Sequence, residues 1–355
     1  MAASSVRVIQ VGAGGFGRLW RKGLSECAGE VVALVDRDPE ALEEAGSHYG
    51  LAEDRWFAPD QEWDTVEADL VIDSSPHAHH RRNAERAFAA GLDVLVVKPM
   101  AQEEADCQAM VGLAHERGRK LAVAQQLRFH PLIMKLRELV QGGAVGQPGL
   151  VHLDWFRALP DPAAPPLLSR PGWSQPFPML VECAVHIFDY LRWVTGYEPV
   201  SVWGRSFNLP WSIPTGHDLD AAPQTCAHAH FEMARPGASP LHVVFRSVAT
   251  RARQDSWLSH WHIEGDAGLL RVEADRICLN GEEVPVAWSD GRPISDLGIG
   301  DHLNGLVLRE FLDWRTGGPE PGFSGRNNLP TIGMVFGVIR SSQTGAEVRL
   351  SERSE

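Results

Sequence analysis

The chain has 355 residues, of which 44% are hydrophobic and 22% charged, and its formal net charge is −13 at pH 7. This length is typical of two domains, each with a buried core. The acidic balance without a basic stripe argues against a nucleic-acid partner. Five scattered cysteines without a CxxC pair predict neither a disulfide framework nor a zinc site.

Apolar runs are all shorter than the roughly 20 residues of a membrane helix. The N-terminal segment lacks the apolar core of a signal peptide and leads at once into an apolar run. We therefore expect a cytoplasmic protein without membrane association.

A strand, a glycine-rich turn, a helix and a second strand follow one another within residues 6–36. Gly12 permits a tight turn, Gly14 leaves room for a pyrophosphate, and Gly17 lets helix and strand pack closely. Asp36 ends the second strand, where a carboxylate accepts hydrogen bonds from an adenosine ribose. The pattern predicts a dinucleotide-binding unit; the alternative is a glycine-rich turn in another α/β unit.

Short apolar runs alternate with amphipathic segments as far as residue 124. They predict five buried strands, at residues 6–11, 31–35, 70–74, 94–97 and 121–124. Buried strands separated by helices are typical of a parallel sheet covered on both faces. We therefore expect an α/β fold with a Rossmann dinucleotide-binding domain at residues 1–124.

The pattern changes in residues 125–355, which we expect to form a substrate-binding and oligomerisation domain. Its predicted elements are a helix at 132–141, a strand at 150–156, a Pro-rich loop at 159–178, a helix at 179–194 and a hairpin of strands 226–233 and 241–248. Strand-like runs separated by turns favour antiparallel pairing. The sequence predicts an α+β domain with a large, mostly antiparallel sheet and helices on one face.

Two segments carry candidate catalytic groups. Lys98 follows a predicted strand directly and precedes Pro99, at the end of the sheet where open α/β folds bind ligands. On the helix at 179–194, His186 lies four residues after Glu182 and three before Asp189, a spacing that groups them on one face. A neutral histidine beside a carboxylate can act as a base. The alternative is a buried structural histidine beside solvated acids.

With these motifs the chain resembles the Gfo/Idh/MocA family (glucose-fructose oxidoreductase, inositol dehydrogenase and MocA) over nearly its full length. The motifs that carry the resemblance are the Gly12 to Gly17 turn, Ser75-Pro76 with His80, Val97-Lys98-Pro99, Gln126 to Phe129 before Pro131, and Glu182 with His186 and Asp189. Val97 stands where the family usually has glutamate, and Glu182 where it usually has aspartate.

The resemblance implies an NAD(P)-dependent oxidoreductase that acts on a sugar, polyol or inositol-like substrate. It further implies that Lys98 bridges the nicotinamide ribose and the substrate hydroxyl, that His186 is the acid/base, and that the open C-terminal sheet forms a homodimer or homotetramer. The residues expected to contact the cofactor are Gly12, Gly14, Gly15, Phe16, Gly17, Asp36, Arg37, Ser75, Pro76, His80, Lys98, Pro99 and Gln126. Those expected to contact substrate are Lys98, Arg128, Trp173, Glu182, His186 and Asp189.

Several alternatives stay open at this point. Asp36 favours NAD because a carboxylate repels a 2′-phosphate, whereas Arg37 could accommodate the phosphate of NADP. His77, His79 and His80 form either a metal cluster or, as we expect, a polar loop beside the cofactor without a metal. Rival functions are a hydrolase that uses NAD transiently and a nucleotide-bound sensor without turnover.

Overall fold

The computed structural model describes residues 5–158, 175–212, 218–219, 221–250, 260–273, 276–287 and 301–350. The chain forms two compact units. The first lies within Met1–Phe129 and Gly298–Leu329, and the second within His130–Leu297 and Pro330–Glu355. Nothing in the sequence pattern predicted that residues 301–329 would pack with the first unit. Most of the predicted Pro-rich loop, at 159–174, lies outside the described residues.

The first unit contains a six-stranded sheet in the order β3-β2-β1-β4-β5-β6, and every pairing in it is parallel. Its strands are β1 (Val6–Val11), β2 (Gly29–Val35), β3 (Trp56–Phe57), β4 (Leu70–Asp73), β5 (Asp93–Val97) and β6 (Leu121–Ala124). Every residue of β4, β5 and β6 is buried, as expected for central strands covered on both faces. The predicted parallel sheet is confirmed; the two-residue β3 was missed because it is too short to show a pattern.

Eight α-helices are found in the described residues. They are α1 (Arg21–Glu26), α2 (Pro39–Tyr49), α3 (His80–Ala89), α4 (Glu104–Glu116), α5 (Pro131–Gln141), α6 (Val185–Thr195), α7 (Asp301–Arg315) and α8 (Gly325–Thr344). Local sequence sets the ends of α2: the Asp38 side chain accepts a hydrogen bond from the Glu40 N–H, and Gly50 ends the helix at a φ of 65°. Among the helices of the described ranges, none combines the length and the hydrophobicity that spanning a bilayer requires.

The second unit contains a nine-stranded sheet in the order β14-β13-β12-β11-β7-β10-β9-β8-β15. Its strands are β7 (Pro148–Ala158), β8 (Glu198–Phe207), β9 (Cys226–Ala234), β10 (Leu241–Thr250), β11 (His260–Gly265), β12 (Leu269–Glu273), β13 (Arg276–Leu279), β14 (Glu282–Val284) and β15 (Val348–Arg349). Among the described strands of this unit, only β7 and β10 pair in parallel, and β9 and β10 form the predicted hairpin. The prediction of a mostly antiparallel sheet is therefore confirmed.

Aromatic side chains hold α6 against the inner face of this sheet. The Phe188 ring meets the Phe231 and Phe245 rings edge-on, at centroid distances of 5.0 and 4.9 Å. The Tyr190 ring lies 5.6 Å from the Trp261 ring, and all five of these aromatic side chains are fully buried. Such aromatic pairs add about 0.5–1.5 kcal/mol each beyond their area burial. These aromatic contacts therefore fix the position of α6 on the sheet.

His130 begins the second unit and caps α5, because its Nδ1 accepts a hydrogen bond from the Leu132 N–H at 3.3 Å. Burial lowers the pKa of His130 to about 4. An unfolded histidine binds a proton below a pH of about 6.5, whereas the folded one stays neutral until about 4. Neutral His130 therefore stabilises the fold above pH 6.5, and this contribution is lost as the pH falls to 4.

We predict that His130→Asn, which keeps a capping side chain, flattens this pH dependence. Between pH 6.5 and 4 the wild type should lose up to about 3 kcal/mol more of its free energy of unfolding than the variant. Urea unfolding of both proteins at a series of pH values measures the difference. If the free energy of unfolding varied with pH in the same way in both proteins, the pH dependence could not be assigned to His130.

Candidate active site

The glycine-rich turn after β1 is formed by close backbone contacts. Gly12 has a φ of +83°, and a Cβ on it would lie 2.6 Å from the Ser74 carbonyl carbon. A Cβ on Gly17 would overlap the Gly12 carbonyl oxygen. Gly15 also has a positive φ, of +29°. The turn can therefore close only with glycine at positions 12 and 17, which supports the roles predicted for them.

The helix predicted after the turn begins as a 3₁₀ segment, Gly15–Trp20, and becomes α-helical only at Arg21. Side chains stabilise this arrangement: Gln10 Nε2 donates to the Gly12 and Gly17 carbonyls, at 3.3 and 3.0 Å. Trp20 is fully buried, and its Nε1 donates to Ser74 Oγ at 2.9 Å. The turn is thus fixed to the carboxyl end of β4 by contacts that periodicity alone does not show.

A cavity of about 420 Å³ opens beside the turn, wholly within the first unit. Eight of the predicted cofactor residues line it: Gly12, Gly14, Gly15, Phe16, Asp36, Arg37, Ser75 and Pro76. Val11, Val35, Ala41 and Pro59 give it apolar walls. The structure therefore brings most of the predicted nucleotide contacts around one space.

Asp36 is held in place by backbone donors at the end of β2. Its Oδ2 accepts hydrogen bonds from the Ala13 and Gly14 N–H groups, at 2.8 and 3.3 Å. Its Oδ1 accepts one from the Asp38 N–H at 3.0 Å. The carboxylate thus links the end of β2 to the glycine turn and presents its oxygens at the cavity wall.

The sequence analysis expected His79 in a polar loop beside the cofactor, and His79 lines the cavity. It assigned no cofactor contact to four further lining residues: Asp38, Ser74, Arg82 and Asn83. Positions 79, 82 and 83 are spaced i, i+3, i+4 at the start of a helix that follows a buried strand, which groups them on one face without showing what that face meets. Asn83 is the most firmly placed, since its Nδ2 donates to Asp73 Oδ2 at 2.9 Å and to Ser75 Oγ at 3.1 Å.

His80 does not line the cavity but is buried beneath it, with 1% of its surface exposed. Its Nδ1 lies 3.1 Å from the Pro99 and Met100 carbonyl oxygens, and its Nε2 lies 2.8 Å from the Ser75 carbonyl oxygen. The imidazole therefore ties the segment after β4 to the segment after β5. Its surroundings are those of a positioning residue rather than of a metal ligand.

The remaining predicted residues of the first unit lie outside the cavity lining. Lys98 is half-buried directly after β5, Pro99 is buried, and the two are joined by a cis peptide bond. Gln126 and Arg128 are each 4% exposed, and Gln126 Oε1 has no hydrogen-bond partner among the described residues. Val97, in place of the family's glutamate, is 7% exposed at the end of an entirely buried strand.

The second unit carries Glu182, His186 and Asp189. The predicted helix is present, but its first turn, Met179–Ala184, is a π-helix, and α6 follows from Val185. Glu182 is half-buried in the π turn, while His186 and Asp189 are 6% and 1% exposed on α6. Single π turns inside helices occur frequently at functional sites. Trp173 lies outside the described residues.

The residues that line the cavity fit a dinucleotide. Gly14 and Gly15 leave the turn open, since a Cβ on Gly15 would meet nothing within 4 Å and one on Gly14 would meet only Ala41, at 3.4 Å. Asp36 lies at the cavity wall, where a carboxylate can accept hydrogen bonds from a ribose.

Comparisons with known proteins agree with this geometry. The model of an oxidoreductase family with an NAD-binding Rossmann fold matches residues 6–125, and that of the GFO/IDH/MocA C-terminal domain matches residues 133–271. The chain belongs to the Gfo/Idh/MocA oxidoreductase family. The resemblance stated from the sequence is therefore confirmed. The expectation of an NAD-dependent oxidoreductase is confirmed with it.

Individual relatives in the Gfo/Idh/MocA family are distant. The D-apiose dehydrogenase of Paraburkholderia graminis is 28% identical over 330 residues, which cover 90% of this chain and 83% of that enzyme. An inositol 2-dehydrogenase of Rhizobium meliloti is 30% identical over 205 residues, 56% of this chain and 57% of that one. An oxidoreductase of Agrobacterium radiobacter, crystallised with NAD⁺, L-tartaric acid and magnesium, has the same fold. The two structures superpose with a TM-score of 0.81 at 18% sequence identity, and the match covers 98% of this chain and 99% of that chain.

We predict that Gly17→Ala damages the turn. The added methyl overlaps the Gly12 carbonyl oxygen, so the free energy of unfolding should fall by about 2 kcal/mol, and NAD should bind more weakly. Gly112→Ala is the matched control, because a Cβ at Gly112 in α4 meets nothing within 4 Å. It should stabilise the protein by about 0.5–1 kcal/mol. Equal effects of the two substitutions would refute the packing argument.

Proposed function

We propose that the protein oxidises a hydroxyl-bearing carbon of a sugar, polyol or inositol-like substrate with NAD bound at the glycine-rich turn. The observation that carries the proposal is the cavity in which the turn, Asp36 and Ser75 meet, in a chain whose family is defined by NAD-binding oxidoreductases. The names of the relatives, which are D-apiose and inositol dehydrogenases, support a polyhydroxylated substrate.

The cofactor would be held mainly by the backbone of the glycine-rich turn and by the carboxylate of Asp36. The turn at Gly12, Gly14 and Gly15 would receive the pyrophosphate, Asp36 would accept hydrogen bonds from the adenosine ribose, and Ser75 and Pro76 would form the opposite wall. His80 keeps that wall and the Lys98 segment in fixed positions. When bound, the nicotinamide supplies the acceptor for the hydride that leaves the substrate carbon.

Two side chains would handle the proton and the charge of the reaction. His186 takes the hydroxyl proton as a general base, a role suited to an imidazole held in a buried helix. Lys98 stabilises the oxygen as negative charge develops on it, because a fixed ammonium group in a partly desolvated site interacts strongly with that oxygen. Glu182 and Asp189 would orient the imidazole, and Arg128 and Trp173 would contact the substrate.

We predict that Lys98→Met and His186→Ala each lower kcat, by about 10²- to 10⁴-fold, because each removes a group that acts in the transition state. The assay is the appearance of reduced nicotinamide with a panel of polyols, aldoses and inositols. NAD binding, measured by calorimetry, should survive His186→Ala. Lys135→Met and His115→Ala are the matched controls, since Lys135 pairs with Glu138 on α5 and His115 is exposed on α4.

The outcomes separate the rival functions. Unchanged turnover in both variants would remove the catalytic assignment. Aglycone release from glycosides without net reduced nicotinamide would identify the hydrolase. Tight NAD binding without oxidation of any compound in the panel would identify a sensor.

We further propose that the protein assembles as a homodimer or homotetramer through the outer face of the C-terminal sheet. Burial alternates along β8, β9 and β10, so one face of the sheet packs inward and the other is exposed. The outer face presents Trp203 and Val244, which are 43% and 38% exposed, and Trp203 stacks on His228. Exposed apolar groups on a broad sheet face are typical of interfaces.

The five free thiols fit a reducing compartment, and we propose that the protein is located in the cytoplasm.

We predict that Val244→Glu dissociates this assembly, because it places a charge at the centre of the outer face. Light scattering coupled to size-exclusion chromatography should show a smaller particle. Met134→Glu is the control, since Met134 is 48% exposed and lies on α5 rather than on a strand of the sheet. A particle size that does not respond to Val244→Glu would exclude the outer face as the interface.

A further inference from the structure

The outer face of the C-terminal sheet carries histidines on four neighbouring strands. They are His152 on β7, His228 and His230 on β9, His242 on β10, and His260 and His262 on β11. Each alternates with buried residues of its strand, so all of these side chains lie on the same face. Six of the 15 histidines in the chain are therefore gathered on one surface.

Strand register brings several of these histidines together around Val244. His152 lies directly opposite His262, and their ring centroids are 5.9 Å apart. Val244 pairs with His152 on one side and with His230 on the other. His230 also contacts His242: its Nε2 lies 3.3 Å from His242 Nδ1, and the two ring planes differ by 11°. The exposed apolar centre of the outer face is therefore flanked by imidazoles.

The contact between His230 and His242 depends on the protonation of the two rings. In a neutral pair, one ring nitrogen donates its N–H to the other ring. When both rings are protonated, both facing nitrogens carry an N–H group, so the hydrogen bond is lost and two positive charges lie side by side. Histidine is the side chain whose charge changes between about pH 5 and 8. Acid therefore converts this contact from attraction to repulsion.

The permanent charges on this face nearly balance while the histidines are neutral. The described residues beside the histidines include three arginines and four acids, namely Arg205, Arg246, Arg271, Asp154, Glu232, Glu264 and Glu273. Arg246 donates to both oxygens of Asp154, at 2.9 and 2.7 Å, so this acid is already paired. The face thus carries both signs of charge near neutral pH and becomes strongly positive when the histidines are protonated.

Individual histidines of this face have different surroundings. Burial lowers the pKa of His228, and the charge of Arg205 lowers it further, so the folded chain favours the neutral ring. Glu264 lies 3.6 Å from His262 Nε2 and favours the charged form of that ring. Covering the face would remove water from these rings, which disfavours every imidazolium group that gains no acid partner.

We propose that these histidines make the assembly of the protein depend on pH, so that copies joined through the outer face near pH 7.5 separate below a pH of about 6. The inference rests on the homo-oligomer in the proposed function and is independent of the catalytic assignment. A second copy is the occupant that suits this face, because a twofold contact joins the same surface of both copies and charges of both signs allow it. Protonation then adds positive charge on both sides of the contact.

The test is the dissociation constant of the assembly, measured by sedimentation equilibrium at a series of pH values from 8 to 5.5, with circular dichroism to follow the fold. In the wild type this constant should rise by about 100-fold or more between pH 6.5 and 5.5, as expected when separation takes up at least two protons. The double variant His230→Gln/His242→Gln, whose amides still form hydrogen bonds, should lose at least about tenfold of that rise.

The matched control is His48→Gln/His115→Gln. Both residues are exposed histidines, on α2 and α4, so the control removes the same number of titrating groups from another part of the chain. It should keep the pH dependence of the wild type.

Each other result has a definite meaning. An assembly equally tight at pH 8 and 5.5, or a double variant that follows the wild type, would overturn the inference and leave the proposed assembly intact. Tighter assembly in acid would overturn it, because the histidines would then face acids of the other copy. Dissociation that follows loss of the circular dichroism signal in all three proteins would assign the effect to unfolding and overturn it too. A wild type that is monomeric at every pH would refute both the assembly and the inference.

Discussion

The contact between Gly17 and the Gly12 carbonyl is the constraint on which the first unit depends. It lets the 3₁₀ segment lie directly against the end of β1, while Gly12 itself approaches the backbone of Ser74. The carboxyl ends of β1, β2 and β4 therefore meet at one edge of the sheet. Asp36 and Ser75 face the same cavity because this approach is possible only without side chains.

Polar side chains beneath the cavity turn this edge into a preorganised site. Gln10 holds the carbonyls of the glycine turn, Asn83 joins Asp73 to Ser75, and His80 links the segments that follow β4 and β5. Each of these groups is buried and bonded to backbone or to another buried group. Such a network limits the movement of the nucleotide-binding segments, because breaking one bond leaves an unsatisfied group without water.

The second unit positions its candidate catalytic helix in another way. Edge-on contacts of Phe188 with the sheet, and the packing of Tyr190 on Trp261, fix α6 through apolar surface. At its C-terminal end Arg192 pairs with Glu198 and donates to Thr331 Oγ1. His186 is therefore carried by a rigid element, and the π turn before it changes the side-chain directions around Glu182 from those of a continuous α-helix.

The parallel sheet, the glycine turn, the acid at the end of β2 and the β9–β10 hairpin were all predictable from the amino-acid sequence. Each depends on local spacing and on the alternation of apolar residues. Periodicity also found the helix of His186, but not its π turn. The folded chain was needed to show that Arg82 and Asn83 face the cavity, that His80 is buried beneath it, and that residues 301–329 join the first unit. These facts depend on contacts between segments far apart in the chain, which no local pattern specifies.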